Sequence, residues 1–340
     1  MRAFSGWAPM CREPATAWCL TLALLLASTA PTACAIDAQA ALDALGFPAD
    51  TGSQVANGRF VQVTLPTSSE RDLSVGIAFL VTNRAPDDLA RTVREEERVL
   101  RADPNMIAYG RLEGDGSLSQ FEKLRLTPAQ TKAYAEVAPG DRVNVSVDEI
   151  AALHAAGNDA HAITEQVHAL LLRRYRAYRA EGLAGIAAYA RPGSMVSPAE
   201  DIAAVNRVGR ASKVLSTTFY DMLDHYPQQR PSAFAENFFW SQFRAHGEET
   251  IALEHVFQAA FDGTVVLVQR HYYVSTGYNA EQAIAGFLPT GNGTLVVYTS
   301  HTSTDQVLGF GASAKRALGR RVMAAELERL FETTRAGLER

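Results

Sequence analysis

Cysteine is almost missing from this chain of 340 residues, and its distribution is uneven. The three cysteines, Cys11, Cys19 and Cys34, all lie within the first 35 residues. A mature chain that begins at Ile36 would therefore contain no thiol. It could form no disulfide, use no thiol nucleophile and build no cysteine-based metal site.

Lysine is also scarce, and the charge balance is mildly acidic. Only four of the 32 basic residues are lysines, and the 37 acidic residues give a formal net charge of −5. This balance argues against a general nucleic-acid-binding protein. Apolar residues make up 47% of the chain and charged residues 20%. That composition is typical of a globular protein, and it excludes a disordered chain and a polytopic membrane protein.

Familiar catalytic signatures are missing as well. The chain contains no Gly-x-Ser-x-Gly elbow, Walker loop, kinase signature or His-Glu-x-x-His pair. The segment 309–314 matches part of a dinucleotide-binding loop, but neither a parallel strand nor a ribose-binding acid follows it. We therefore expect no cofactor.

One hydrophobic run is present near the N-terminus, at residues 18–27. Two arginines precede it, and a small-x-small segment follows it at 33–35. A charged start, about ten apolar residues and a small-residue cleavage site are typical of a secretory signal peptide. We predict that 1–35 is a signal peptide cleaved near Ala35, and that the mature protein is periplasmic or secreted.

Two alternatives stay open for this segment. The run is shorter than the ~20 residues of a comfortable membrane span, yet it could stay uncleaved as an N-terminal anchor. Cys34 could instead carry a lipid after cleavage and anchor the protein, although Pro31 stands where such signals usually carry leucine.

The mature chain changes character along its length. Residues 36–58 are small and polar, which is typical of a lead-in with one short helix. Beyond them, apolar alternation between turn residues predicts strands, and capping boxes before periodic apolar residues predict helices. The predicted strands are 59–65, 73–81, 106–112, 142–147, 251–261, 265–275 and 295–302. The predicted helices are 37–45, 86–101, 127–139, 148–156, 159–180 with a continuation at 187–191, 197–213, 215–226 and 314–338.

The order of these elements predicts an α+β fold with one domain at 59–340. Strands from both ends of the chain would share an antiparallel sheet, with a helical insertion at about 150–230. An amphipathic C-terminal helix would cover one face of that sheet. A turn at 262–264 would join two of the strands as a hairpin.

Several segments of the mature chain resemble known proteins. Residues 271–275 (HYYVS), 293–298 (GTLVVY), 302–305 (TSTD) and 59–81, with the closing basic helix, look like an uncharacterised family of exported bacterial proteins. The order of elements also resembles the START-like, helix-grip group. This resemblance implies that a curved antiparallel sheet wraps the long C-terminal helix and encloses an apolar ligand cavity. It names neither a ligand nor a reaction.

Histidines supply the candidate metal ligands. His154, His161 and His168 recur every seven residues, and Glu165 falls on the same helical face. A Glu-x-x-His pair can hold a metal in a helical bundle, but other helices must supply further ligands. We favour a solvated polar face and expect no metal site. His255 falls on an apolar strand face, and we interpret it as a core histidine.

The strand 265–275 gives the clearest indication of a binding site. With a period of two, one face changes from apolar to polar and aromatic along Val265, Leu267, Gln269, His271, Tyr273 and Ser275. This gradient is typical of a pocket with an apolar floor and a hydrogen-bonding mouth, although a sheet edge that emerges into solvent gives the same pattern. The residues predicted to line the pocket are His271, Tyr273, Tyr298, Phe310, Leu318 and Val322.

We therefore predict an exported protein that binds a hydrophobic or lipid-like ligand between the sheet and the C-terminal helix. One alternative is an enzyme of the same fold class in which His271 acts as acid or base with Tyr273 or Asp305. Another alternative is a structural envelope protein without a ligand.

The first turns of the predicted C-terminal helix are basic, which is relevant to possible binding partners. They carry Lys315, Arg316, Arg320 and Arg321. Four cations there indicate either a peripheral membrane contact with anionic head groups or a solvated helix face. We expect no nucleic-acid partner.

Overall fold

A computed structural model describes residues 37–95, 103–140, 142–231, 234–245, 247–261 and 264–339. The predicted signal peptide at 1–35, the end of the helix predicted at 86–101 and two residues of the predicted turn at 262–264 lie outside the described residues. Across the described part of the chain, none of the helices is both long and apolar enough to cross a membrane.

Ten strands occur in the described residues. They are β1 (Val61–Val63), β2 (Asp72–Thr82), β3 (Met106–Leu112), β4 (Tyr189–Arg191), β5 (Ser194–Val196), β6 (Ala235–Ala245), β7 (Glu248–Phe261), β8 (Thr264–Val274), β9 (Ala280–Thr290) and β10 (Gly293–Ser303). Eight of them form one sheet in the order β1-β2-β10-β9-β8-β7-β6-β3. Every neighbouring pair is antiparallel. Because β2 pairs with β10, strands from both ends of the described chain share this sheet.

The helices of the described residues lie before, between and after these strands. They are α1 (Ala38–Ala44), α2 (Thr51–Ala56), α3 (Pro86–Glu95), α4 (Pro128–Ala135), α5 (Val147–Ala155), α6 (Ala160–Glu181), α7 (Pro198–Ser212), α8 (Thr217–His225) and α9 (Ala312–Leu338). A large antiparallel sheet with a long C-terminal helix packed on it is an α+β fold. This confirms the predicted fold class.

Capping residues explain where several helices begin. Thr127 before α4 and Ser146 before α5 each accept a hydrogen bond from the third backbone N–H of their helix. Gln130 and Glu149 complete the two capping boxes, because their side chains accept from the backbone N–H of the capping residue. Ser197 caps α7 through its hydroxyl, which accepts from the Glu200 N–H, and proline occupies the first helical position. These starts agree with the sequence signals to within a residue or two.

The two faces of the large sheet have different coverings. On one, which we call the inner face, α3 and α9 pack over apolar side chains such as those of Phe79, Phe287 and Val296. On the opposite or outer face, α1 and α2 cover the β2 and β10 end of the sheet. The helices α6 and α8 cover β6, β7 and β8 on that same outer face.

The C-terminal helix α9 contacts the inner face mainly along β2. The ring of Phe331 lies 4.9 Å from that of Phe79 and 5.0 Å from that of Tyr298. Gly319 permits a close approach, since a Cβ atom there would lie 2.9 Å from the Leu73 side chain. Most other apolar side chains of α9 are half-buried or exposed. The helix therefore leaves space between itself and the middle of the sheet.

The strand predicted at 142–147 is wrong. Residues 142–146 are irregular, and Val147 is already the first residue of α5. The backbone of this segment bonds to two different partners, because the Asn144 N–H donates to the Ser275 carbonyl and Val145 accepts from Ala190. An apolar segment of this length resembles a strand, but the cap at Ser146 decides in favour of the helix.

The helical continuation predicted at 187–191 is also wrong. The helix α6 ends at Glu181, and the next residue, Gly182, has a φ of 61° in the left-handed region. A Cβ atom at this position would clash with the Tyr226 carbonyl oxygen. The chain then forms the hairpin of β4 and β5 around Pro192 and Gly193. Pro192 and Gly193 therefore form the turn of this hairpin.

Candidate functional site

A cavity of about 820 Å³ lies between the inner face of the sheet and α9. Its sheet wall comes from β6 to β10, and its helical wall comes from α9 with a contribution from α3. Buried apolar side chains form its floor, namely those of Val256, Leu267, Phe287 and Val296. Cavities that hold small ligands usually measure roughly 300–1,000 Å³, so this one has the volume for a sizeable molecule.

Four of the six residues predicted to line a pocket lie at this cavity. They are His271, Tyr298, Leu318 and Val322. Along β8 the lining changes from Leu267 through Gln269 to His271, which is the apolar-to-polar gradient expected from the sequence. The cavity therefore has an apolar floor and a polar end.

Tyr273 does not line the cavity, which corrects the sequence prediction. The register of β7 and β8 shifts between Leu253, which pairs with Tyr273, and Glu254, which pairs with His271. Tyr272 is therefore an extra residue on β8, and such a β-bulge interrupts the alternation of side chains. The rings of Tyr272 and Tyr273 both join the outer-face core, where both are buried.

Phe310 does not line the cavity either. Its side chain is 100% exposed, in the short loop that precedes α9. Gly309 and Gly311 flank it with φ values of 76° and 73°, so both adopt the left-handed conformation. This loop conformation holds the Phe310 ring away from the sheet. The alternation of residues along the strands, from which the pocket was predicted, gives no information about a side chain in this loop.

A row of three ionisable side chains crosses the polar end of the cavity. Strand pairing places Glu254 on β7 directly beside His271 on β8, and His271 directly beside Glu281 on β9. His271 Nε2 lies 3.5 Å from Glu254 Oε2, and His271 Nδ1 lies 3.6 Å from Glu281 Oε2. The imidazole therefore lies between two carboxylates.

Further hydrogen bonds hold this row in place. Ser241 Oγ donates to Glu254, and Gln269 Nε2 donates to the second oxygen of that carboxylate at 3.1 Å. The Tyr278 hydroxyl lies 2.6 Å from His271 Nδ1. The arrangement is thus a connected chain from a buried carboxylate through an imidazole to a phenol.

Burial and charge act in opposite directions on the pKa values of this row. Burial alone would lower the pKa of His271, but the carboxylates of Glu254 and Glu281 outweigh it and raise that pKa. Burial alone would raise the pKa of Glu254, but His271, Ser241 and Gln269 together lower it. For Tyr278, burial and the two nearby carboxylates all raise the pKa, so the phenol stays protonated at neutral pH.

The sequence reasoning missed Glu254, Tyr278 and Glu281. Phe261 pairs with Thr264, and this register places Glu254 beside His271. Counting back from the predicted three-residue turn at 262–264 would instead pair Glu254 with Tyr272, so the sequence reasoning missed this contact by one residue. Glu281 lies on β9, which the sequence reasoning did not recognise as a strand, so its place beside His271 was not predictable by the same count.

Asp305, the other residue considered as a partner for His271, has different partners. Its carboxylate accepts from Arg71 Nε at 2.7 Å and from Arg191 Nε at 3.0 Å. It lines a neighbouring, more polar cavity of about 510 Å³ together with Arg191 and Asn279. Asp305 therefore joins segments at the end of the sheet.

The histidines considered as metal ligands have three separate environments. His154 Nε2 lies 2.8 Å from the Val137 carbonyl oxygen, exposed His161 faces Glu165 at 3.4 Å, and His168 stacks on Phe121. In the described segments, no group of three or more His, Cys, Asp or Glu residues is arranged to hold a metal ion.

Comparisons with known proteins identify no relative: no family model matches this chain, and no match is found among curated proteins or solved structures.

Proposed function

We propose that this protein binds a hydrophobic, lipid-like molecule in the cavity between the sheet and α9. The observation that carries the proposal is the cavity of about 820 Å³ with an apolar floor and one polar end. An amphiphile has the same distribution of polarity, and burial of its apolar part contributes about 25 cal/mol for each Å² removed from water. This cavity is also what the helix-grip resemblance implies.

The half-buried state of α9 supports the same proposal. Leu318 lines the cavity and is 64% exposed, and Val322, Met323 and Leu327 are only half-buried there. Partly exposed apolar side chains that line a cavity gain burial when a ligand binds there. The alternative of a structural envelope protein without a ligand predicts a filled interior instead, so the cavity favours binding.

The site of action is part of the proposal. The charged start, apolar run and small-residue segment within 1–35 predict export, which would bring the binding cavity to the periplasm or the cell exterior. Native mass spectrometry of protein purified from its own compartment tests both points. We expect a bound lipid-like molecule and a mature chain that starts near Ile36.

A pair of substitutions on α9 tests whether the cavity is the binding site. Val322→Trp would fill the cavity, whereas Ala317→Trp adds the same side chain at an exposed position of the same helix. We expect Val322→Trp to weaken binding of a fluorescent apolar dye by at least about tenfold, while Ala317→Trp leaves it unchanged. Equal effects of both variants would contradict the proposal.

A second candidate function is catalysis with His271 as acid or base. The observation that favours it is the chain of Glu254, His271 and Tyr278, because an imidazole oriented by a carboxylate can move a proton to or from a neighbouring hydroxyl. Tyr278 takes the place that the sequence reasoning gave to Tyr273 or Asp305. Loss of turnover in His271→Asn, with ligand binding and folding retained, would favour catalysis.

A further inference from the structure

The cavity carries information about the polar end of its ligand, and the argument rests on the function proposed above. Glu254 and Glu281 flank one imidazole on adjacent strands. With His271 protonated, the row carries two negative charges and one positive charge. An excess negative charge beside an apolar cavity is unfavourable unless a cation compensates it.

The two carboxylates differ in how completely they are hydrogen-bonded. Glu254 is 1% exposed, and both of its oxygens accept hydrogen bonds from protein side chains. Glu281 uses Oε1 to accept from Ser300 Oγ at 2.9 Å. Its Oε2 has His271 Nδ1 at 3.6 Å, which is beyond hydrogen-bond distance. Among the described residues, no donor bonds to this second oxygen of Glu281.

The position of Glu281 makes that oxygen accessible to a ligand. The residue lines the cavity, and its side chain is 21% exposed. Tyr278 and Tyr298 also line the cavity, and aromatic rings attract ammonium groups as well as apolar chains. A ligand nitrogen that carries N–H groups would satisfy both the open acceptor and the excess negative charge.

The other charged residues of the lining do not belong to the sheet wall. They are Arg94, Asp103, Lys315, Glu326 and Arg329, on α3, just before β3 and on α9. Arg94 already pairs with Glu95, and Lys315 donates to the Leu308 carbonyl oxygen. Among the described residues, the row of Glu254, His271 and Glu281 supplies all the charged side chains of the sheet wall, and we assign selection by charge to it.

We propose that the cavity selects amphiphiles whose polar end is an alkylammonium group, with Glu281 Oε2 accepting its N–H. A charge-assisted hydrogen bond of this kind is roughly twice as strong as a neutral one. An alkanol can donate one hydrogen bond to the same oxygen, but it brings no positive charge to offset the excess negative charge of the row. An alkanoate brings a second negative charge next to Glu281 and is disfavoured.

Three probes with the same ten-carbon chain, decylamine, decanol and decanoate, test the proposal by calorimetry at neutral pH. We expect decylamine to bind at least about tenfold more tightly than decanoate, with decanol between them; tenfold corresponds to about 1.4 kcal/mol. Glu281→Gln should remove the preference for the amine and leave decanol affinity within about threefold. Glu332→Gln, at an exposed position of α9 that does not line the cavity, should leave the order unchanged.

The outcomes separate this inference from the proposed function. If decanol binds and decanoate binds as tightly as decylamine, the inference is overturned and the binding function stands. If none of the three probes binds, both fail. Should Glu281→Gln not fold, the order of the probes on the unmodified protein still decides, because that order requires no variant.

Discussion

The strands β7 and β8 present two different environments on their two faces. On the outer face, rings and polar side chains are packed together: the Tyr178 ring of α6 stacks 4.0 Å from that of Tyr272, and Arg270 is fully buried. On the inner face, the same strands border a cavity of about 820 Å³. Residues one position apart on a strand therefore differ in whether they pack against other elements or border the cavity.

Two histidines show what this difference does to chemistry. His255 faces outward, where Nδ1 accepts from the Tyr178 hydroxyl at 3.0 Å and Nε2 donates to Glu236 at 2.9 Å. Burial lowers the pKa of His255 to about 4, against the opposing effect of Glu236. His271 faces the cavity between two carboxylates, and its pKa is raised. One face thus holds a neutral imidazole as part of the core, and the other favours a charged one.

The largest expected effect is on the packed face. Tyr178→Ala should lower the free energy of unfolding by about 3–5 kcal/mol, because it removes a fully buried ring and the hydroxyl that bonds Arg270 and His255. Leu318→Ala, at a cavity residue that is 64% exposed, should change it by less than about 0.5 kcal/mol. Urea denaturation of both variants and of the unmodified protein measures these changes in the free energy of unfolding. Equal losses would show that the two faces do not differ in packing.

The next effect is the pH dependence due to His255. Its pKa is about 4 when folded and 6.5 in the unfolded chain, so between these values the unfolded chain binds a proton that the folded chain does not. The contribution of His255 to stability is therefore full above pH 6.5 and falls by about 3 kcal/mol as the pH drops to 4, at about 1.4 kcal/mol for each pH unit. Glu236, whose pKa is lowered, adds its own loss only below its ordinary value of 4.5.

Unfolding free energies of the unmodified protein and of His255→Asn, measured from pH 7 to pH 4, test this expectation. The difference between the two proteins should shrink as the pH falls. A constant difference would mean that His255 titrates normally in the folded protein.

His271 should give the opposite sign in a different pH range. Because its folded pKa is raised above 6.5, the folded protein binds a proton more tightly than the unfolded chain does. This stabilisation is complete below pH 6.5 and is lost as the pH rises through the folded pKa. Denaturation of the unmodified protein and of His271→Asn from pH 6 to pH 9 should show a difference that decreases with pH. An increase over that range would contradict the charged environment of the inner face.

The smallest effect is expected outside both faces. Phe310 is fully exposed, so Phe310→Ser should change the free energy of unfolding by less than about 0.5 kcal/mol. It should also leave the affinity for apolar probes unchanged, because Phe310 does not line the cavity. A loss of affinity on titration calorimetry would mean that the ring contacts the bound ligand.

The strands that sequence reasoning missed share a physical feature. In β6, Phe238 and Trp240 join the outer-face core while Phe239 joins the inner one, so the segment shows no alternation of polar and apolar residues. In β9, Gly286 and Pro289 lower the intrinsic strand preference. Pairing on both sides, with β8 and β10, compensates for that weak preference. The burial of both faces of β6 and the pairing of β9 on both sides depend on the rest of the fold. Neither can be recognised from the sequence of the segment alone.

The sequence by itself determined the elements whose signals are local. Capping boxes set the starts of α4 and α5, and the turn residues that follow Phe261 in the sequence indicated that β7 and β8 form a hairpin. Tertiary structure alone decided that Tyr273 faces outward, because a one-residue bulge reverses the alternation and only packing against the α6 layer selects it. It also decided that Glu281 meets His271, because neighbouring strands bring together residues whose contact no local pattern encodes.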